Sequence, residues 1–543
     1  MKLLSKQYRI IFVACLIYTA LYNIAFFSRF YDVNLHSLPV LVSGFVFLWG
    51  VHVLFFSLLA GKLTTRFLLA TGFLAAAASC YFSLAYGVVT DTDMLRNALQ
   101  TDIDETAGLL SFSMVATLLL AGLVPAILVF RISIPGKSLK NELLSKLVAV
   151  ATALVMIIGA VFPFSADYTT FFREHKSVRY FATPITPLYS AIKLSADSIT
   201  SHFREPLVLN RTVFDDETNE ELEDGHELVI MIVGETVRAD HLGLNGYKRQ
   251  TTPRLAAMDH LVSFSNFSSC GTATAVSVPC MFSPFNRREY SDDAIYRAEN
   301  VLDVLQRQKV AVLWRDNNSS SKGVADRVTY QSYKSSDVNP ICDPECRDEG
   351  MLTGLDNFIA DHPDQDIFIL LHVMGSHGPE YYKRYPSQYG KFQPTCQTNH
   401  LSQCSQDELL NSYDNTIVYA DSVIADSIQM LKTHDDYETA LLYVSDHGES
   451  LGENNVYLHG LPYDFAPQAQ KQVAALAWLP PNSDFDFAKT LAQSAQAFSH
   501  DNLFCSLLAV FEVNAENCIA VPPILILEDE TASAHEENEQ DQS

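Results

Sequence analysis

Five long apolar stretches crowd the first 165 residues, at roughly 8–28, 39–60, 67–88, 109–130 and 147–163. A helix needs about 20 residues to cross a hydrocarbon core, so each stretch is close to the length of a membrane span. A cleaved leader would account for the first and leave four without explanation. No other feature limits the fold as strongly, because a backbone in lipid has to satisfy its own hydrogen bonds.

The loops between these stretches set an orientation. Lys2, Lys6 and Arg9 precede the first, Lys62 and Arg66 follow the second, and Arg131, Lys137, Lys140 and Lys146 follow the fourth. The third connection is acidic, with Asp91, Asp93, Asp102, Asp104 and Glu105 against Arg96, and the first has only Arg29 beside Asp32. Basic and non-basic loops alternate, which predicts a cytoplasmic N-terminus. Five spans then place everything after about residue 165 outside the cytoplasm.

The cysteines agree with that orientation. Cys15 and Cys80 fall inside spans, and the other eight lie in the exported part. Their spacing suggests neighbouring pairs, Cys270 with Cys280, Cys342 with Cys346, Cys396 with Cys404 and Cys505 with Cys518. On the oxidising side of a membrane an even set reads as disulfides. Thiolate metal binding is the competing reading, which the location disfavours. A net charge of −26 speaks against a nucleic-acid partner. Residues 526–543 form an acidic end that reads as a disordered tail.

Residues 166–225 mix aromatics, cations and prolines, as in an interfacial linker lying along a membrane surface or a plain connection. From about 226 to 525 the pattern becomes α/β. "ELVIMIV", "KVAVLW", "DIFILLHV", "ETALLYV" and "QVAALAWLP" are near-continuous apolar runs separated by helix-like segments. Such runs suit strands covered on both faces, which predicts a mainly parallel sheet. Ligands then gather beyond the carboxyl ends of the strands.

Those ends carry Glu235, Asp446 with His447, and His377, while His459 follows twelve residues after His447. A lone strand-end carboxylate is usually a cap or turn former. Several carboxylates and imidazoles delivered to one rim instead make a ligand set suited to Zn²⁺. The uncharged stretch "SSCGTATAVSVPC", Ser268 to Cys280, could supply a hydroxyl for such a metal to activate. Composition alone does not distinguish it from an ordinary Ser/Thr-rich loop.

Together "VGETVRADH", "CGTATAVSVPCMFS", "WRDNNSSSKG", "HVMGSHGP", "YVSDHGESLGENNVYLHGLPY" and the five spans resemble the lipid A phosphoethanolamine transferases. The resemblance extends over essentially the whole chain to about residue 520. It implies a five-helix transmembrane domain followed by a periplasmic domain of alkaline-phosphatase/sulfatase fold, in a Gram-negative inner membrane. The family nucleophile corresponds to the second threonine of "CGTATA", Thr274, rather than Thr272. The resemblance implies zinc held by Glu235, Thr274, Asp446 and His447. His377 and His459 match positions that bind the substrate phosphate or a second zinc. Asn318, Ser319 and Lys322 match residues that hold the phosphoethanolamine group. Asn97, Thr101 and Glu105 recur at four-residue spacing and would share one helical face; they resemble positions that bind the donor headgroup. Ala273 and Val276 depart from the residues some relatives carry, without removing a group the chemistry needs.

The implied reaction moves phosphoethanolamine from phosphatidylethanolamine to Thr274 and then to a phosphate of lipid A. The product gains a cationic amine, so resistance to polymyxin and cationic peptides is the implied output, from a membrane-embedded monomer. Transfer to a core sugar or another envelope glycan uses the same motifs and stays open. A phosphoglycerol transferase is the nearest rival, and the cysteine-bracketed loop speaks against it. A sulfatase would need a C/S-x-P-x-R signature, which "CMFSPFNRRE" lacks. A non-catalytic sensor would be favoured by loss of a ligand, and none is missing.

Overall fold

The run Leu228–Val233 is buried at every residue, as befits a strand with a layer on each side. In the computed structural model it lies in the strand His226–Gly234 (β1), at the centre of a seven-stranded sheet. The structure describes residues 4–33, 37–100, 108–134, 138–201, 213–214, 225–295, 298–343 and 345–528. The other strands of this sheet are Leu261–Ser263 (β2), Ala311–Asp316 (β3), Thr329–Ser332 (β4), Ile367–His372 (β5), Tyr437–Ser445 (β6) and Ala475–Trp478 (β7). Their order is β2-β7-β6-β1-β5-β3-β4. Only β7 runs against its neighbours, β2 and β6.

Register matters more to function than order does. Gly234 pairs with Ser445, Val233 with His372, and Asp316 with His372. The four central strands β6, β1, β5 and β3 therefore finish almost level, so whatever follows them shares one rim. Two layers keep the strands fixed. On one face Val229, Met231 and Val233 join a core with Leu302, Leu305, Trp314, Phe504 and Leu507. On the other, Ile232 and Tyr443 meet Tyr419, Val423 and Ile424 of the long helix Gln406–Leu431. Each large apolar side chain fully buried in these layers is worth about 1.5–3 kcal/mol. The long helix starts at a capping box: Glu408 N–H donates to Ser405 Oγ at 3.3 Å, and Ser405 N–H to Glu408 Oε2 at 2.8 Å.

The chain divides into two units near residue 202. The first holds helices Leu38–Leu59, Thr64–Ala85, Phe112–Arg131 and Lys140–Glu174, each long and apolar enough to cross a membrane. Only 17% of the most apolar window of the last two is buried, and Leu120 and Val155 are exposed, as on a lipid-facing surface. The first expected span differs. Instead of one straight helix over 8–28, Lys6–Tyr22 and Ile24–Val33 meet at 67°. Asn23 explains the bend: its Nδ2 donates to Tyr18 O (2.9 Å) and Thr183 O (2.7 Å), and its Oδ1 accepts from Thr183 N–H (3.0 Å). A side chain that satisfies the freed backbone groups lets a helix break without proline. Among the described residues the count is thus four helices, or five with the bent pair as one span.

After the last of these helices, which runs on through Ser165–Glu174, Ile185–Ser201 is helical, whereas 202–212 and 215–224 lie outside the described residues. At the other end, residues 526–528 are still tied to the fold, with Asp486 N–H donating to Ile526 O and Glu528 N–H to Asp484 O, both at 2.8 Å. The expected tail from 526 therefore begins no earlier than 529, and residues 529–543 lie outside the described ones. All four neighbouring cysteine pairs are disulfide-bonded, leaving Cys15 and Cys80 as thiols.

At the opposite end of β1 from the rim, Glu227 sits among carboxylates. Its N–H donates to Asp366 Oδ1 (3.2 Å), and Asp484 and Glu512 lie close by. Burial first, then Asp366, pushes the Glu227 carboxyl up to about 10. Folding therefore takes up a proton that the unfolded chain releases near the ordinary carboxyl range, and stability falls as pH rises through that window. Glu227→Gln is expected to raise the unfolding temperature by about 3 °C at pH 8.5 and leave it unchanged near pH 4. Thermal unfolding at the two pH values checks this; equal shifts at both would show that the carboxyl carries no such penalty.

Candidate active site

The residue after β1 is Glu235, and those after β6 are Asp446 and His447; all three are fully buried. The turn that carries Glu235 is strained. Thr236 adopts φ 58°, which a β-branched residue rarely does, and such strain collects at functional sites. Gly375, at φ +50°, packs so closely that a Cβ would lie 3.0 Å from Glu235 O. Asp446 Oδ1 accepts from Thr236 N–H (3.2 Å) and His447 N–H (2.7 Å). Its other oxygen is thereby aimed at the rim.

Thr274 opens the short helix Thr274–Met281. Its Oγ1 lies 3.3 Å from Glu235 Oε2, to which it donates, and 3.3 Å from His447 Nε2. His447 Nε2 is also 3.2 Å from Asp446 Oδ2 and 3.5 Å from Glu235 Oε1. The helix N-terminus points its partial positive charge at the same oxygen. Thr272 is elsewhere: its Oγ1 donates to Leu461 O at 2.6 Å, and its carbonyl accepts from Gly460 N–H at 2.7 Å. The geometry separates two threonines that composition left alike.

Hydrogen placement decides what this cluster can hold. His447 Nδ1 faces the Gly448 carbonyl at 3.0 Å, so the ring proton sits there. Burial holds the imidazole well down, at about 4, so it is neutral and its Nε2 is a bare lone pair. Asp446 Oδ2 is buried without a hydrogen-bond partner among the described residues. Two carboxylates, an imidazole lone pair and a hydroxyl thus converge where a proton donor is short. Burying Asp446 Oδ2 without a hydrogen-bond partner is costly, whereas a divalent cation would satisfy it, and mixed carboxylate and imidazole donors suit zinc. The residues fit a metal.

A second group, His447, Glu449 and His459, also lies within ligand distance. Its charges are already answered: His459 Nδ1 donates to Glu449 Oε2 (2.8 Å) and Tyr381 OH to Glu449 Oε1 (2.5 Å). The His459 ring lies 4.3 Å from that of His447 and 5.7 Å from that of His377, centroid to centroid. Arg384 fixes His377 by donating to its carbonyl at 2.7 Å. Glu449, which orients His459, was not read from the sequence, although it stands in "SDHGES" two residues after His447. Gln470, which holds the His459 turn through Leu458 O (3.0 Å) and Leu461 N–H (3.2 Å), left no signal there.

The loop after β3 brings Asn318, Ser319 and Lys322 to the same rim. Asn318 Nδ2 donates to Glu235 Oε2 (2.8 Å) and Val373 O (2.9 Å), while its Oδ1 accepts from Ser319 N–H (2.6 Å). Its amide thereby holds Glu235. Lys322 Nζ donates to Ser319 Oγ at 2.7 Å, which keeps the ammonium beside the rim. Asn97 is buried in the helix Thr92–Gln100 of the other unit, whereas Thr101 and Glu105 lie outside the described residues.

Known proteins resemble this chain in sequence and fold. Residues 227–513 match the Sulfatase family and residues 48–199 the family described as phosphoethanolamine transferase EptA/EptB. Phosphatidylethanolamine transferase Mcr-1 of Escherichia coli is 41% identical over 514 residues, 92% of this chain and 93% of that protein. This chain belongs to the phosphoethanolamine transferases. Another relative, phosphoethanolamine transferase EptA of Escherichia coli strain K12, is 38% identical over 558 residues, covering 97% of this chain and 98% of that one. The solved structure of lipooligosaccharide phosphoethanolamine transferase A from Neisseria meningitidis superposes with a TM-score of 0.88 at 33% identity, over 96% of this chain and 98% of that chain. The likeness to an integral membrane enzyme over nearly its full length agrees with the apolar helices and the mainly parallel sheet of this transferase.

Proposed function

We propose that this transferase moves phosphoethanolamine from phosphatidylethanolamine to a phosphate of lipid A through a covalent intermediate on Thr274. One observation carries the reading: the Thr274 hydroxyl stands at a helix N-terminus, 3.3 Å from both Glu235 and His447. Zinc, held by Glu235, Asp446, His447 and Thr274, would lower the pKa of the threonine hydroxyl and offset charge on the phosphate. Thr274 Oγ1, its proton released, attacks phosphorus as the P–O bond to diacylglycerol breaks, and a proton is taken up by the departing diacylglycerol oxygen. Glu235 orients that hydroxyl beforehand, and Asn318 keeps Glu235 in place. His377, His459 and Lys322 supply donors to the phosphate oxygens as charge builds. A lipid A phosphate then attacks the same phosphorus and frees Thr274.

The proposed organisation is a membrane domain over 1–165, an interfacial linker over 166–225 and a catalytic domain over 226–525, exported to the periplasm of a Gram-negative cell. Donor binding is assigned to Asn97, Thr101 and Glu105, the enzyme to a monomer in the inner membrane, and its output to polymyxin and cationic peptide resistance. The test is mass spectrometry of the Thr274 peptide after incubating zinc-loaded protein with mixed bacterial phospholipids, then with lipid A. A phosphoethanolamine adduct that disappears as lipid A gains the same mass is the expected result. A phosphoglycerol adduct, or an adduct that lipid A fails to discharge, would overturn donor or acceptor respectively.

A further inference from the structure

His500 follows the short strand Phe498–Ser499, which pairs in parallel with Phe267–Ser268 just ahead of the Thr274 loop. The side chain is 1% exposed. Cys270 N–H donates to its Nδ1 at 3.0 Å, and its Nε2 donates to Ser445 O at 3.0 Å. A peptide N–H can only donate and a carbonyl only accept, so the ring is confined to one neutral tautomer. The two atoms it joins belong to the two segments that the reaction must hold together. Cys270 opens the disulfide-closed loop that carries Thr274, and Ser445 is the last residue of β6, immediately before Asp446 and His447.

Other contacts show how firmly each side of this bridge is set. The carbonyl of Cys270 accepts from Arg287, whose guanidinium stacks on the Tyr463 ring 3.6 Å from its centroid. Ser445 Oγ accepts from Val237 N–H (2.7 Å) and donates to His447 O (3.1 Å). Each segment is rigid in itself, and the His500 ring is a spacer of fixed width between them.

We propose that His500 is a positioning residue of the transfer: its two-sided bridge sets the distance between the Thr274 loop and the turn that carries Asp446 and His447. The inference rests on the roles assigned to those residues above. Burial holds the imidazole down at about 4, so the bridge keeps its one tautomer at neutral pH. A ring that merely fills space could be replaced by phenylalanine, since Phe267 is its aromatic neighbour at 6.0 Å. A bridge could not be, whereas glutamine, whose amide has an NH₂ that donates and a carbonyl oxygen that accepts, can restore it.

The test compares full-length wild type, His500→Phe and His500→Gln in detergent, with phosphatidylethanolamine as donor and zinc affinity measured by chelator competition. His500→Phe is expected to lower kcat about 30-fold or more with KM within threefold, and to weaken zinc about tenfold, as losses behind a ligand set do. His500→Gln should recover both to within about fivefold of wild type. A His500→Phe protein with more than a third of wild-type kcat, or a glutamine variant no better than phenylalanine, would overturn the proposal. If His500→Phe does not fold, His500→Asn replaces it, keeping an acceptor near Cys270 but losing the reach to Ser445; it must fall well below His500→Gln. The zinc measurement needs no turnover. Wild type that consumes no donor would therefore count against the proposed reaction and leave the bridge to be judged on affinity.

Discussion

Thr274→Ala is expected to reduce transfer about 10⁴-fold or more, as removal of a nucleophile does when no neighbouring group can replace it. The nearest alternative is Thr272, and its hydroxyl is committed to Leu461 O on the turn beside His459. Thr272→Ala should therefore cost much less, within about tenfold, by loosening that turn through one lost hydrogen bond of about 1 kcal/mol. Thr274→Ser keeps the hydroxyl and should retain measurable turnover. The measurement is donor consumption alongside the mass of the loop peptide. An alanine variant that still carries an adduct on Thr272 or Ser277 would remove Thr274 from the mechanism.

Asp446→Asn comes second, with an expected loss of about 10³-fold, because the proposed metal loses a carboxylate ligand while one orientation of the amide still keeps the turn. Asp446 Oδ1 already accepts two backbone N–H groups, and Oδ2 faces His447 Nε2. If the asparagine nitrogen takes the Oδ2 place, it offers a proton where the metal requires a lone pair. In the flipped orientation, N–H meets N–H and the turn opens. Thermal unfolding discriminates this from general damage. Zinc should raise the unfolding temperature of wild type through linkage and leave that of the variant unmoved. Without zinc the variant should be no less stable than wild type, since one buried carboxylate is gone. A variant still stabilised by zinc would show that Asp446 is not needed to hold it.

The outline of the protein was legible because lipid and sheet burial both write long apolar runs into a sequence. Leu38–Leu59 and Thr64–Ala85 announce themselves by length, and β1, β5 and β6 by unbroken apolar character. The bend at Asn23 was hidden, since it depends on Thr183 arriving from 160 residues away. The same holds for Glu449 and Gln470. Their side chains matter through partners that only the folded chain brings near, so Gln470 left no mark in local spacing and Glu449 only its place two residues after His447.

The rim followed from a local rule: what comes after a parallel strand sits at its carboxyl end, so the sequence places Glu235, Asp446, His447 and His377 together, whereas the Asn318 loop came only from the family resemblance. Tertiary structure alone decided how these groups address one another. It turned Thr274 toward Glu235 and His447 and Thr272 away, gave the Asn318 amide to Glu235, and left Asp446 Oδ2 buried with no hydrogen-bond partner among the described residues. The reason is one of scale. Strand register fixes which segments meet, but a hydrogen bond forms or fails within a few tenths of an ångström. That distance is set by every layer packed behind the rim.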